Sequence, residues 1–169
     1  SSQTRLGVGI PTAGRDDAKR TVLVGMLVQT VLAGLDINPE ASFAELLNVL
    51  QGEIIEVMQQ APSARDPLSP AHVMFHLRED QADLSLRDVK VTPEATALTG
   101  SKFNLSVQLD TTQTPYRMRW SYRSNQYKAE TIKRWGQRFL VGLSQLLKTP
   151  HAPLTQVDWW TFEERALRQ

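Results

Sequence analysis

The three histidines of this chain have the widest chemical range of its side chains, because an imidazole can transfer protons and bind metals. They are His72, His76 and His151. The first two are four positions apart, the spacing of zinc ligands on one face of a helix, but that motif needs a glutamate where this chain has Val73. The segment Ala-His-Val-Met-Phe-His-Leu also has the composition of a strand. We therefore interpret the pair as two polar positions on one strand face.

Other spacings that carry chemistry are incomplete. Gly7-Val8-Gly9 begins a dinucleotide-binding pattern, but Thr12 stands at the third glycine position and Pro11 blocks the helix that must follow. The sequence has no Gly-x-Ser-x-Gly nucleophile motif and no Gly-x-x-x-x-Gly-Lys phosphate loop. Cysteine is absent, which excludes disulfides and thiolate ligands. The residues themselves predict no catalytic group, no metal site and no directly bound cofactor.

One charge pattern could serve a partner. A predicted helix has a basic face, a name we use for four side chains: Lys128, Lys133, Arg134 and Arg138. A solvated surface is the commoner meaning of such a face. The functional alternative is the docking of an acidic partner, because complementary charge steers association.

Composition narrows the class of protein. The chain has 169 residues, of which 41% are hydrophobic and 22% charged, with a formal net charge of +1. This length suits one domain with a real core, and the charge balance argues against a dedicated nucleic-acid binder. No apolar run approaches the roughly 20 residues that a membrane helix needs. We therefore expect a protein without nucleic-acid or membrane partners, located in the cytoplasm.

In the first half of the chain, hydrophobic patterning predicts two strands and a helix. Arg5–Ile10 is predicted to be a short buried strand, and the apolar stretch Val22–Leu35 leans toward strand because of its valine and threonine content. Ser42 followed three positions later by Glu45 forms a capping box at the start of a long amphipathic helix, which ends before Pro62.

The second half continues the mixture of strands and helices. Four strands are predicted, at His72–Leu77, Asp88–Val91, Phe103–Asp110 and Tyr116–Arg123. A second long helix is predicted at Ala129–Leu147, with Leu140 and Leu147 among its core residues. The tail contains Trp159-Trp160, which we expect to plug the core, and a short terminal helix. The class is therefore mixed α and β.

Five groups of short motifs follow one another along the chain. They are Val8-Gly9-Ile10-Pro11-Thr12-Ala13-Gly14-Arg15; Val24-Gly25-Met26-Leu27-Val28-Gln29-Thr30; Arg65-Asp66 with Ser69-Pro70 and Val73-Met74-Phe75; Lys102-Phe103-Asn104-Leu105; and Ala129-Glu130-Thr131-Ile132. They resemble V-G-x-P-x-A-G-R, I-G-M-F-V-N-T, R-D-x-S-x-N-P-L before V-M-F, K-F-D-L and A-x-T-I of the condensation domains of nonribosomal peptide synthetases. The matches cover nearly the whole chain in the family's order.

The resemblance implies the C-terminal lobe of such a domain at residues 1–150, with a linker and terminal helix at 151–169 that lead toward a following domain. The implied fold is a chloramphenicol-acetyltransferase-like α/β sandwich, in which a mixed sheet packs with two long amphipathic helices. The family's catalytic motif, His-His-x-x-x-Asp-Gly, belongs to the N-terminal lobe, and this chain has no adjacent histidines. The resemblance therefore implies a half that does not catalyse alone.

The resemblance also implies partners and a role for particular residues. One wall of a substrate tunnel would be formed by Met26, Gln29, Thr30, Ser69 and His72. The substrate would arrive on the phosphopantetheine arm of a peptidyl or acyl carrier protein, which would dock partly on this lobe. From its charge, we take the basic face as the candidate docking surface. The other implied partners are the N-terminal lobe of the same domain and an adjacent adenylation domain.

The chain departs from the family pattern in three places, one of which is Ala33-Gly34, where an arginine is common. Gln29 stands where asparagine is usual, and Met58-Gln59-Gln60-Ala61-Pro62 replaces the expected His-Gln-Asp-x-Pro-Phe-Glu motif. Two alternatives therefore stay open. One is a catalytically inactive condensation-like platform that recruits a carrier protein or a tailoring enzyme, and the other is a lobe of a different acyltransferase of the same fold.

Overall fold

A five-stranded mixed sheet organises the chain, whose computed structural model describes residues 5–15, 18–60, 71–79, 89 and 101–166. The strands are β1 (Arg5–Thr12), β2 (Gln29–Asp36), β3 (Val73–Arg78), β4 (Leu105–Asp110) and β5 (Arg117–Tyr122). Their spatial order is β2-β1-β3-β4-β5. The outer pairs, β1 with β2 and β4 with β5, are antiparallel, whereas the inner pairs are parallel. The predicted mixed α/β class is confirmed.

Among the described residues, two α-helices precede β3 and two follow β5. They are α1 (Ala18–Thr21), α2 (Phe43–Gln60), α3 (Ala129–Lys148) and α4 (Phe162–Ala166). The predicted capping box begins α2: the Ser42 N–H donates to Glu45 Oε2 at 2.8 Å, and the Glu45 N–H donates to Ser42 Oγ at 3.3 Å. The Ser42 N–H and the Ser42 hydroxyl, which donates to the same Glu45 oxygen at 2.8 Å, lower the pKa of Glu45. Within the described ranges, no helix is both long and apolar enough to cross a bilayer.

The core forms between β4 and α3. Leu105 and Val107 alternate along β4 and are buried against Ile132 of α3. Next to them, the Trp120 ring of β5 meets Phe139 of α3 edge to face, with centroids 6.1 Å apart. The period-two pattern read from the sequence thus places every second side chain of β4 and β5 under the helix.

Some sequence predictions differ from the structure, and one lies almost entirely outside the described residues. The strand predicted from Val22 begins only at Gln29, because the residues before it do not pair with β1. Leu140 and Leu147 are 62% and 65% exposed, because the sheet and tail bury a narrower stripe of α3 than its apolar residues span. Of the predicted strand Asp88–Val91, only Val89 lies within the described residues.

The tail returns along α3 instead of plugging the core. The Gln145 amide makes two hydrogen bonds to the backbone of Asp158. Its Nε2 donates to the Asp158 carbonyl at 2.7 Å, and its Oε1 accepts from the Asp158 N–H at 3.0 Å. The Trp159 ring lies directly against Gly142, where any side chain would collide with it. Because Trp159 is still 44% exposed, the core-plug prediction is wrong for this residue. The ring covers a helix surface.

Candidate functional site

A tight turn at Gly14 brings the end of β1 beside the residues that precede β2. Gly14 has a φ of 62°, in the left-handed region that favours glycine. A side chain at this position would also collide with the backbone carbonyl of Leu27. The turn therefore requires glycine twice, for its backbone conformation and for its close approach to Leu27.

Arg15, the next residue, holds the loop that follows. Its Nη1 donates to the Leu23 carbonyl at 2.7 Å and to the Arg20 carbonyl at 3.0 Å, and its Nη2 donates to the Gly25 carbonyl at 3.2 Å. These carbonyls lie at and beyond the end of α1, and the Arg20 carbonyl also accepts from the Leu23 N–H at 3.2 Å. One guanidinium thus fixes the path of the backbone from Arg20 to Gly25.

The side chains of that loop point away from the protein. We call Val22–Val28 the apolar segment. Val24 is 103% exposed, Met26 85% and Val22 78%, and Leu23 and Val28 are also more than half exposed. Contiguous apolar surface of this kind marks interaction sites, because water contact with it is unfavourable. The Arg15 hydrogen bonds therefore hold a hydrophobic surface in a fixed shape.

The predicted tunnel residues lie where this segment joins the sheet. Met26 belongs to the segment, and Gln29 and Thr30 begin β2. A Cβ placed on Gly9 of β1 would lie 3.1 Å from the Thr30 methyl group and 2.8 Å from the Cβ of Ala71. Glycine at position 9 therefore lets the chain next to His72 approach the start of β2.

His72 follows Ala71 directly and is exposed. Its Nδ1 lies 3.1 Å from the Asn104 amide nitrogen. Four of the five predicted tunnel residues are therefore at or near one junction, and Ser69 lies outside the described residues. Within the part of the chain that the structure describes, no three potential metal ligands converge.

Three side chains of the basic face are exposed, and the fourth, Arg138, is paired with Glu164. Lys128, Lys133 and Arg134 are exposed, although Arg134 Nε lies 4.0 Å from Glu164 Oε1. Arg138 pairs with the same carboxylate from two nitrogens: Nη2 donates to Oε1 at 2.7 Å, and Nε lies 3.1 Å from both oxygens. Its guanidinium also stacks over Trp160, 4.3 Å from the ring centroid.

Glu164 is the centre of this tail contact. Besides Arg138, it accepts hydrogen bonds from the Thr161 N–H at 3.0 Å and the Thr161 hydroxyl at 3.2 Å. These partners, with the Arg138 hydrogen bonds first, lower the pKa of Glu164 to about 2. The carboxylate therefore stays charged in any neutral or mildly acidic solution. Sequence reasoning missed this pairing, although Thr161 and Glu164 have capping-box spacing.

The condensation-domain family model matches residues 1–167, nearly the whole chain. Among curated proteins, the chain is 27% identical to surfactin synthase subunit 1 of Bacillus subtilis (strain 168), over 98% of this chain and 5% of that protein. It is 24% identical to tyrocidine synthase 3 of Brevibacillus parabrevis, over 98% of this chain and 3% of that protein. The chain thus spans only a small part of the relatives it matches.

Solved structures with this fold include several condensation domains. The chain superposes on the complex of the X-domain and OxyB from teicoplanin biosynthesis with a TM-score of 0.75, at 17% identity, over 94% of this chain and 38% of that one. For the starter condensation domain of rhizomide synthetase, the TM-score is 0.72 at 18% identity, over 94% and 41%. For a four-domain nonribosomal peptide synthetase bound to AMP and glycine, the TM-score is 0.77 at 14% identity, over 98% and 15%. The fold is the chloramphenicol-acetyltransferase-like fold of these domains.

Proposed function

The chain belongs to the condensation-domain family, and we propose that it forms the C-terminal, non-catalytic half of a condensation domain in a nonribosomal peptide synthetase. Two facts about size and sequence support this assignment. The chain covers about 38–41% of several solved chains with this fold, including the starter condensation domain of rhizomide synthetase. It also contains no adjacent histidines, which the family's catalytic motif requires.

The apolar segment carries the proposal. Among the described residues only seven hydrophobic side chains are buried, whereas five apolar side chains of this one segment are more than half exposed. A hydrophobic surface that is held in shape by Arg15 and left uncovered favours a permanent partner over solvent. We assign that partner as the N-terminal lobe of the same domain.

The tunnel wall follows from the position of this interface. Met26, Gln29, Thr30 and His72 lie at the junction of the apolar segment and the sheet, and we include Ser69 from the family motif. A tunnel between the two lobes would run past these residues and admit the phosphopantetheine arm of a carrier protein. In this scheme the chain's residues position the arm and exclude water, and the partner lobe supplies the proton-transfer group.

Carrier docking is assigned to a reduced basic face. Lys128, Lys133 and Arg134 are exposed, whereas Arg138 already pairs with Glu164. We therefore place the acidic carrier against the first three residues, where complementary charge would raise the association rate at low salt. An adjacent adenylation domain would follow the tail.

A second candidate function is a platform without condensation activity. It is favoured by the similarity to the X-domain, whose structure was solved in complex with OxyB. In that case the same fold would recruit a carrier protein or a tailoring enzyme. The two functions differ in whether the reassembled domain forms a peptide bond.

The test is to mix this chain with the N-terminal half of the same domain and measure binding by calorimetry. We expect Val24→Asp to weaken binding at least about tenfold, because it places a charge in an apolar interface. The matched control is Val49→Asp, since Val49 is a valine of α2 that is 59% exposed and lies outside the apolar segment. Equal loss in both variants, or no binding of the wild-type chain, would contradict the interface.

An activity assay on the reassembled halves then separates the two functions. Transfer of an acyl group from one loaded carrier protein to an amine on another would support condensation. Tight association of the halves and of the carriers without any product would favour the platform.

A further inference from the structure

The face of the sheet opposite α3 carries a second cluster of charged residues. Leu105 and Val107 of β4 are buried against α3. Because successive side chains of a strand point to opposite faces, the alternate β4 residues, Gln108 and Asp110, lie on the other face. Thr30 of β2 lies on the same face, at the other edge of the sheet.

The strand register lines up basic residues on that face. Arg78 of β3 is opposite Asp110 of β4, which is opposite Arg117 of β5. In the next row on the same face, Gln108 is opposite Arg119. Residues directly opposite on neighbouring strands have Cβ atoms about 5 Å apart, so these groups are within reach of one ligand. Together with Gln113, Met118 and Trp120, they line a cleft of about 550 Å³.

The charges of this cleft do not balance. Asp110 lies 3.5 Å from Arg78 and accepts a hydrogen bond from the Thr112 N–H at 3.0 Å. The hydrogen bonds from Thr112 lower the pKa of Asp110, so it stays ionised and offsets one arginine. Arg117 and Arg119 are both exposed, and two positive charges remain in the cleft.

This arrangement fits one kind of ligand. Guanidinium groups present paired N–H donors that match the oxygens of a phosphate, and Gln108 adds an amide donor from the same face. A phosphate monoester carries a charge of about −1.5 to −2 at neutral pH, close to the unbalanced charge, whereas a single carboxylate carries only half of it. The cleft volume is also within the range for small-molecule sites, roughly 300–1,000 Å³.

We propose that the cleft formed by Arg78, Arg117, Arg119 and Gln108 binds the phosphate group of a small phosphate monoester. Arg117 and Arg119 hold the phosphate oxygens, Gln108 donates a further hydrogen bond, and Asp110 orients Arg78. The site goes beyond the proposed function, because it uses no residue assigned to the tunnel wall or to carrier docking.

The test titrates 4′-phosphopantetheine into the purified protein by calorimetry, with pantetheine as the analogue that lacks phosphate. We expect saturable binding of the first and none of the second. Arg119→Gln should weaken binding by about tenfold, because it removes charge-assisted hydrogen bonds. The matched control is Arg5→Gln. Arg5 lies on β1, outside the cleft, and its side chain is 81% exposed, so this change should leave binding unchanged.

A third variant separates recognition from structural damage. Asp110→Asn keeps an oxygen that can accept from Thr112 but removes the negative charge, so we expect binding to tighten by about fivefold. A purely structural role would weaken binding in both the Arg119 and the Asp110 variants. That result, equal binding of pantetheine, or binding of glutarate as tight as that of 4′-phosphopantetheine, would overturn the proposal. Failure here would leave the binding of the two lobes unaffected, so the two proposals can be distinguished.

Discussion

Two segments of this chain are each held by one arginine, but the side chains of one segment stay exposed whereas the other segment packs against the chain. Arg15 donates to four backbone carbonyls of the loop before β2, whereas five side chains of the apolar segment stay more than half exposed. Arg138 binds Glu164 of the tail and stacks on Trp160, so the tail packs on α3. For the tail, the chain itself supplies both the arginine that binds the tail and the surface of α3 that the tail covers.

The difference separates what the chain completes alone from what it prepares for another surface. The tail satisfies its polar groups within the chain, through Glu164 with Arg138 and Asp158 with Gln145. The apolar segment satisfies only its backbone, through Arg15. Shaped but uncovered apolar side chains are the expected state of half of an interface.

The largest expected effect comes from the turn that shapes the apolar segment. Gly14→Ala should lower the free energy of unfolding by about 2–4 kcal/mol, because it forces a left-handed residue and a collision with the Leu27 carbonyl. The matched control is Gly52→Ala in α2, where nothing lies within 4 Å and the change should stabilise by about 0.5–1 kcal/mol. Urea unfolding of both variants checks this, and equal stability of the two would break the comparison.

A smaller effect is expected at the tail, with a defined dependence on pH. The pKa of Glu164 is lowered from 4.5 to about 2, so its charged contacts stabilise the tail fully above about pH 4.5 and are lost as the pH falls toward 2. Glu164→Gln should therefore unfold more easily than wild type at pH 7, and the two should converge near pH 2. Melting curves across this range measure the difference.

The control for the tail is Glu163→Gln, since Glu163 is the exposed neighbour in the same helical turn. It should follow the wild-type curve at every pH. A difference between wild type and Glu164→Gln that does not change with pH would mean that the pairing with Arg138 does not stabilise the tail through charge.

Local signals in the sequence were sufficient for several of the regular elements. The capping box of Ser42 and Glu45 located the start of α2, and alternation along β4 and β5 located two strands, because these patterns depend only on near neighbours. Leu140 was misassigned to the core because periodicity gives the direction of a side chain but not the width of the surface that covers it.

Long-range contacts were beyond such patterns. Arg138 was predicted on an outward face, and its partner Glu164 is 26 positions away. The apolar segment was predicted to be part of a strand because of the valine and threonine content of Val22–Leu35. Neither its exposure nor the role of Arg15 can be read from spacing, although the Gly14-Arg15 motif marked the position.

The most direct test of the account is hydrogen exchange on this chain, alone and with the N-terminal half of the same domain. We expect amides of the apolar segment to exchange at least about tenfold more slowly in the mixture, while amides of the tail are unchanged because the chain already closes that region. Unchanged exchange in the apolar segment, with the two halves bound to each other, would contradict the claim that this segment is the prepared half of the interface.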